Sequence, residues 1–420
     1  MSLTFKSPTI FSHKNGFVKR QSAAYALPVK KGALKTVQLV NGKPINGPDL
    51  SVEVNGLKLP NPFIIGSGPP GTNYQVMKKA FDEGWGGVIC KTLSLDASKV
   101  INVTPRYAKL RDSAGKVFGW ENFELISDRS FEVMLAELKR LKQEYPDRVL
   151  IASIMEEVNK SAWEEIIGRC EEVGVDAFEI NFSCPHGMPE RKMGMAMGQD
   201  CELLTEVCTW INAAATKPVW AKMTPNITDI TQPALCALNA GCEGVAAINT
   251  IQSVMGINLE TLRPEPCVEG YSTSGGYSYK AVKPIALAKV MSIAHAIEAN
   301  YKGQGHTLSG IGGIETGEDA AEFILAGSDT VQVCTGVMIH GYPLVKNLCA
   351  GLQDFMRKHD FKSIAEFKGK SLPYFTTHSD LVRRQRAALK TKRERKGLSS
   401  DADWSGDNFV QNADSMVANS

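Results

Sequence analysis

The chain has 420 residues, 43% of them hydrophobic, and a formal net charge of +2, which suits a globular protein with one large domain or a few small ones. No run of about 18 apolar residues occurs, so no membrane-spanning helix is expected. The charge is uneven: +8 over residues 1–48, +7 over "RRQRAALKTKRERK" (383–396) and −4 over the last 24 residues, leaving −9 for 49–382. A body of that sign is a poor partner for nucleic acid.

Residues 1–48 carry eight Lys or Arg and no Asp or Glu, with Ser and Thr interspersed. That composition fits an organelle transit peptide, and the excess of Lys leans toward a plastid over a mitochondrion. A solvated basic arm on a cytoplasmic protein is the plain alternative. From residue 60 onward, short apolar runs alternate with helical patterns. The expected strands are 62–68, 86–92, 148–155, 177–183, 218–224, 244–250, 306–313 and 330–338, and the helices 74–84, 131–145, 161–174, 201–215, 229–241, 281–297, 317–327 and 343–358. Residues 361–420 read as an extension with a basic helix and a polar tail. The ten cysteines form no C-x-x-C pair and no zinc or iron–sulfur spacing, so they are expected to stay reduced and no metal is expected.

Eight strands, each followed by a helix, predict a parallel sheet. Their near-continuous apolar character and the span of roughly 300 residues favour a closed (β/α)₈ barrel, a TIM barrel. Sites in such barrels lie at the C-terminal strand ends. Those ends supply Ser67, Lys91, Asn181, Lys222, Asn249, Thr250, Gly312, Gly313 and Thr335, and the three long loops, after strands two, four and six, fall on the same face.

"GSGPPG" (66–71) has the spacing of a dinucleotide turn, but Pro69 and Pro70 lack the N–H donors such a turn uses. Lys91 also ends the next strand, where a dinucleotide fold places an acid. Gly312 and Gly313 after strand seven, with Thr335 and Gly336 after strand eight, occupy the usual phosphate-cradling loops of a barrel. Phosphate plus two inward lysines, Lys91 and Lys222, points to a phosphorylated cofactor, and FMN fits because a lysine stabilises the anionic reduced ring. Pyridoxal phosphate is the alternative, though neither lysine sits where a Schiff base would single it out.

Asn122, Asn181 and Asn249 join Thr250 and Glu124 in this set. An amide offers a donor and an acceptor side by side, which matches the edge of a neutral cyclic diamide such as a pyrimidine. In "NFSCPHGMPER" (181–191), Cys184 and His186 stand two positions apart, which admits a nucleophile, a metal ligand or a buried thiol.

Together, "KTLSLD" (91–96), "GWENFELISDR" (119–129), "NFSCPHGMPER" (181–191), "MGQD" (197–200), "AKMTPNITDI" (221–230), "INTI" (248–251), "SGIGGI" (309–314) and "QVCTG" (332–336) resemble the FMN barrel of the dihydropyrimidine dehydrogenases over residues 50–360. Dihydroorotate dehydrogenases are the wider relatives. The resemblance implies that Ser67, Lys91, Thr92, Asn181, Lys222, Ser278, Gly312, Gly313, Ile314, Cys334 and Thr335 hold FMN. It implies that Asn122, Glu124, Asn181, Ser183, Asn249 and Thr250 hold uracil or thymine, and that Cys184 donates a proton. The family often has a glycine where this chain has Tyr279. NADPH is the implied electron donor, either directly or through a reductase partner, since the chain carries no FAD or iron–sulfur module of its own. A homodimer is expected, with no nucleic-acid or membrane partner. A dihydroorotate dehydrogenase is the alternative, disfavoured because those enzymes carry Asn after "SCP" where this chain has His186, and because Glu124 would repel the substrate carboxylate. His186 is left without a role.

Overall fold

The computed structural model describes residues 35–96, 101–184 and 191–390. His186, most of the N-terminal arm and the tail beyond residue 390 lie outside them. All eight expected strands form: β1 Phe63–Ile65, β2 Gly87–Ile89, β3 Val149–Ile154, β4 Ala177–Phe182, β5 Val219–Met223, β6 Gly244–Ala247, β7 Thr307–Ile311 and β8 Thr330–Val333. They pair in parallel in chain order, and β8 returns to β1 to close the barrel. The eight expected helices follow them: α1 Tyr74–Glu83, α2 Phe131–Glu144, α3 Lys160–Glu172, α4 Cys201–Ala214, α5 Thr231–Asn239, α6 Lys283–Tyr301, α7 Gly317–Leu325 and α8 Leu344–Lys358.

Local chemistry sets the boundaries. Asn73 caps α1 by accepting the Val76 N–H at 3.2 Å, and Gly84 ends it at φ +102°, a conformation that only glycine takes without strain. Asp200 caps α4 through the Glu202 and Leu203 N–H groups, and Thr316 with Asp319 forms a capping box on α7. Strand eight is shorter than expected. Its ladder ends where Val333 meets Ile65, with the Gly66 N–H still donating to the Val333 carbonyl, and residues 335–340 coil into a short helix.

The barrel is closed below and roofed above. Val52–Val54 and Leu57–Leu59 form a hairpin around Asn55–Gly56, both at positive φ as a two-residue turn requires. Its Val54, Leu57 and Leu59 plug the barrel bottom against Ile64, Ile89, Ile151 and Trp220. At the opposite end, the loops after β2 and β6 join in one antiparallel sheet. Its strands run in the order Ile251–Ser253, Gly275–Ser278, Val117–Asn122, Tyr107–Arg111. Beyond the barrel, helix His378–Lys390 carries the first residues of the basic run on a largely exposed surface. Among the described residues no helix is long and apolar enough to cross a membrane.

Candidate active site under the lid sheet

A pocket of about 1010 Å³, open mouth included, lies between the C-terminal strand ends and the lid sheet. Its floor is a buried charge network. Lys222 on β5 reaches Glu179 on β4 at 3.1 Å and Ser67 after β1 at 3.2 Å. Gln332 on β8 donates to the other Glu179 oxygen at 2.7 Å and to Ser309 at 3.1 Å. Glu179 and Gln332 are wholly buried, and the lysine and the amide supply the hydrogen-bond partners that a buried carboxylate needs. The Gln332 side-chain oxygen has no partner among the described residues, and the residue lines the pocket.

One wall is a relay of short polar side chains. Asn249 donates to the Ser183 hydroxyl at 2.9 Å, Ser183 to the Asn181 carbonyl oxygen at 3.0 Å, and Asn181 to the Thr92 hydroxyl at 3.0 Å. Thr92 in turn meets Ser153 at 2.9 Å. The relay fixes both amides, so each presents a defined donor or acceptor edge. Opposite, Lys91 at the end of β2 pairs with Glu124 at 3.0 Å, both side chains 8% exposed. Arg106 approaches the other Glu124 oxygen at 3.7 Å, and the Tyr107 hydroxyl lies close enough to Glu124 to feel its charge. Burial first, and then the Glu124 charge, raises the Tyr107 hydroxyl well above the ordinary tyrosine range, so it stays a donor. Asn122 is held by the Gly276 carbonyl at 3.1 Å and caps the Glu124 N–H at 3.2 Å.

The third wall is built from close backbone. Gly312 and Gly313 follow β7 at φ +146° and +77°, and a Cβ on Gly313 would lie 2.8 Å from the Tyr279 carbonyl. Ser278 and Thr335 share a hydrogen bond of 3.0 Å across this cleft. Tyr279 is buried and lines it at φ +78°, ψ −158°, a region that is essentially glycine's. The cysteine beside it, Cys334, is pushed up to about 11 by burial and remains a neutral thiol. Cys184 follows β4 and packs against Ile126, Met155 and Met193.

The structure thus gathers almost every residue singled out from the sequence into one pocket. Ser183 is the exception: it is wholly buried, one step behind Asn181 and Asn249, and does not line the cavity. Sequence reasoning missed Glu179, Gln332, Tyr107, Trp120 and Tyr277. A signal existed for Glu179, a carboxylate amid the apolar strand "AFEINF", with a matching lysine in "VWAKM". Among the described residues no group of three His, Cys, Asp or Glu is arranged to hold a metal.

Residues 49–356 match the sequence model of the family described as Dihydroorotate dehydrogenase. The chain belongs to the dihydroorotate dehydrogenase family. Among its relatives in that family, the "Dihydropyrimidine dehydrogenase (NADP(+)), chloroplastic" of Arabidopsis thaliana is 70% identical over 378 residues, covering 89% of this chain and 88% of that one. The "NAD-dependent dihydropyrimidine dehydrogenase subunit PreA" of Escherichia coli K12 is 43% identical and covers 80% of each chain. A catalytic subunit named dihydroorotate dehydrogenase B (NAD(+)), from Pyrococcus abyssi, is 33% identical, covering 77% of this chain and 99% of that one. The crystal structure of Eimeria tenella DHODH with ferulenol shares the fold at a TM-score of 0.65 and 20% identity, covering 81% of this chain and 92% of that one. The dihydroorotate dehydrogenase barrel therefore accounts for β1 to α8.

Proposed function

We propose that this chain reduces the C5–C6 double bond of uracil and thymine to the 5,6-dihydropyrimidines, opening pyrimidine breakdown, with FMN in the pocket and NADPH as electron donor. The observation that carries the reading is the placement of the amide relay, the Lys91–Glu124 pair and Cys184 around one cavity. Three features of the pocket suit FMN. Two buried lysines end strands β2 and β5, Gln332, whose oxygen has no partner among the described residues, lies in the floor, and the Gly312–Gly313 backbone leaves no room for side chains where a phosphate would sit. Ser67, Lys91, Thr92, Asn181, Lys222, Ser278, Ile314, Cys334 and Thr335 complete the cofactor set.

Bound FMN supplies the hydride for C6 of the ring. Asn122, Asn181, Asn249 and Thr250 hold the ring by its alternating carbonyl and N–H edge, and Glu124 accepts from a ring N–H. Ser183 acts behind them by fixing both amides. Cys184 gives the proton to C5 and must therefore be a thiol when substrate binds. The lid sheet excludes water from the reaction. The N-terminal arm directs the protein to plastids, in keeping with the chloroplastic relative. The barrel works as a homodimer, and helix His378–Lys390 with the tail forms a separate extension.

Anaerobic mixing of dithionite-reduced protein with uracil tests the reading. Flavin absorbance should recover with uracil or thymine, and recovery with orotate alone would overturn it. Cys184→Ala should keep bound FMN and bind uracil, yet turn over roughly 10²–10⁴-fold more slowly.

A further inference from the structure

The lid hairpin reverses the charge of the body. Residues 49–382 sum to −9, yet residues 106–116 carry Arg106, Lys109, Arg111 and Lys116 against one acid, Asp112. That carboxylate is occupied in the turn, where it accepts the Ala114 and Lys116 N–H groups at 2.9 and 2.8 Å. Among the described residues, Lys109, Arg111 and Lys116 enter no ion pair. Lys109 and Arg111 are alternate residues of one strand and share its face with Tyr107, so the cations continue outward from the pocket wall.

The wall itself is aromatic. The Lys109 ammonium sits 4.7 Å over the Trp120 ring, and the Tyr107 ring lies 5.7 Å from it. Trp120 lines the pocket, and its indole N–H is buried without a partner among the described residues. Across the rim, Lys280 approaches Lys116, and burial followed by that like charge holds it below the ordinary lysine range. Lys280 pairs with Glu315, which also receives His340, while Lys283 is taken up by Asp319 and Glu322. Unpaired cations drawn together in an acidic body are kept only at an electrostatic cost, which an anionic ligand offsets.

We infer that this lid is the docking site of the electron donor itself, a phosphorylated nicotinamide dinucleotide. Its phosphates lie along Lys109, Arg111 and Lys116, and its nicotinamide end reaches in past Trp120. The inference rests on the reading under Proposed function and removes the need for a reductase partner. The basic stripe runs up to Trp120, which lines the pocket, so a dinucleotide can follow it inward where a folded docking protein cannot enter. Each turnover consumes one NADPH, one proton and one pyrimidine, and releases NADP⁺ and the dihydropyrimidine.

The test uses the full-length, FMN-loaded protein and the double variant Lys109→Glu/Lys116→Glu, both positions being exposed. NADP⁺ is titrated calorimetrically at low and physiological salt, and flavin bleaching by NADPH is followed anaerobically. NADPH alone should bleach the wild type, and NADP⁺ binding should weaken about tenfold in the variant and with rising salt, while uracil binding stays unchanged. Equal NADP⁺ affinity in both proteins overturns the inference. So does a flavin that dithionite reduces and uracil reoxidises but NADPH leaves untouched, which sends the electrons through a partner and leaves the pyrimidine reading standing. Failure of uracil to reoxidise the dithionite-reduced protein overturns the pyrimidine reading instead, and the calorimetry still decides whether the lid binds NADP⁺.

Discussion

Tyr279 occupies a backbone conformation that costs a non-glycine residue about 1–3 kcal/mol. Its ring, 2% exposed, belongs to the packed wall of the pocket, and truncating a buried aromatic costs about 3–5 kcal/mol. The second effect is the larger. Tyr279→Gly is therefore expected to lower stability by about 2 kcal/mol despite relieving the backbone, as read by urea denaturation. A gain in stability would mean that strain dominates. At this scale the sequence was informative wherever a polar residue ends an apolar strand, as at Lys91, Asn181 and Lys222. It was silent on Gln332, because an amide inside "TVQV" looks the same whether it faces a helix or a buried carboxylate. Only the closed barrel brings it within 2.7 Å of Glu179.

The lid sheet is the element that composition hides. Residues 107–111 and 117–122 have the turn "DSAG" between them, yet their partner strand lies across the whole barrel in the chain, and no local pattern names it. Its packing relies on small residues: a Cβ on Gly275 would strike Glu121, and one on Gly276 would strike Thr250. Glu121 is wholly buried here, holding Ser253 at 2.7 Å with its second oxygen unpartnered. Burial raises its pKa above the ordinary 4.5. Folding thus favours the protonated form: the stabilising contribution is full below pH 4.5 and is lost as pH rises through the raised value. Glu121→Gln should flatten this part of the pH dependence of melting above pH 4.5, and an unchanged profile would show that Glu121 does not contribute.

Across the whole molecule, the βα alternation was legible because each barrel strand is buried on both faces and each helix carries one apolar face. The end of the basic arm was less so. Residues 35–48 lie against the barrel: Val37 donates to the Lys346 carbonyl, Asn61 to Gly42, and the buried Gln353 amide to the carbonyls of Asn46 and Pro48. We propose that a leader ends before Lys35. A chain starting at residue 35 should melt like the full-length protein. One starting at residue 49 leaves the buried Gln353 amide without either carbonyl, at about 1–3 kcal/mol, removes one of the two acceptors of the Asn61 amide, which keeps Gly84, and should melt several degrees lower.

The lid has two halves made at different times. The Asn122 side chain that grips Gly276 does so across 154 residues of chain. At roughly 5–20 residues per second, the first hairpin leaves the ribosome roughly 8–30 s before its partner strand exists. During that interval the edge at Val117–Asn122 is open to any other strand that meets it. Charged residues on an exposed edge oppose such pairing, and Lys109, Arg111 and Lys116 give the hairpin three cations before its partner strand exists.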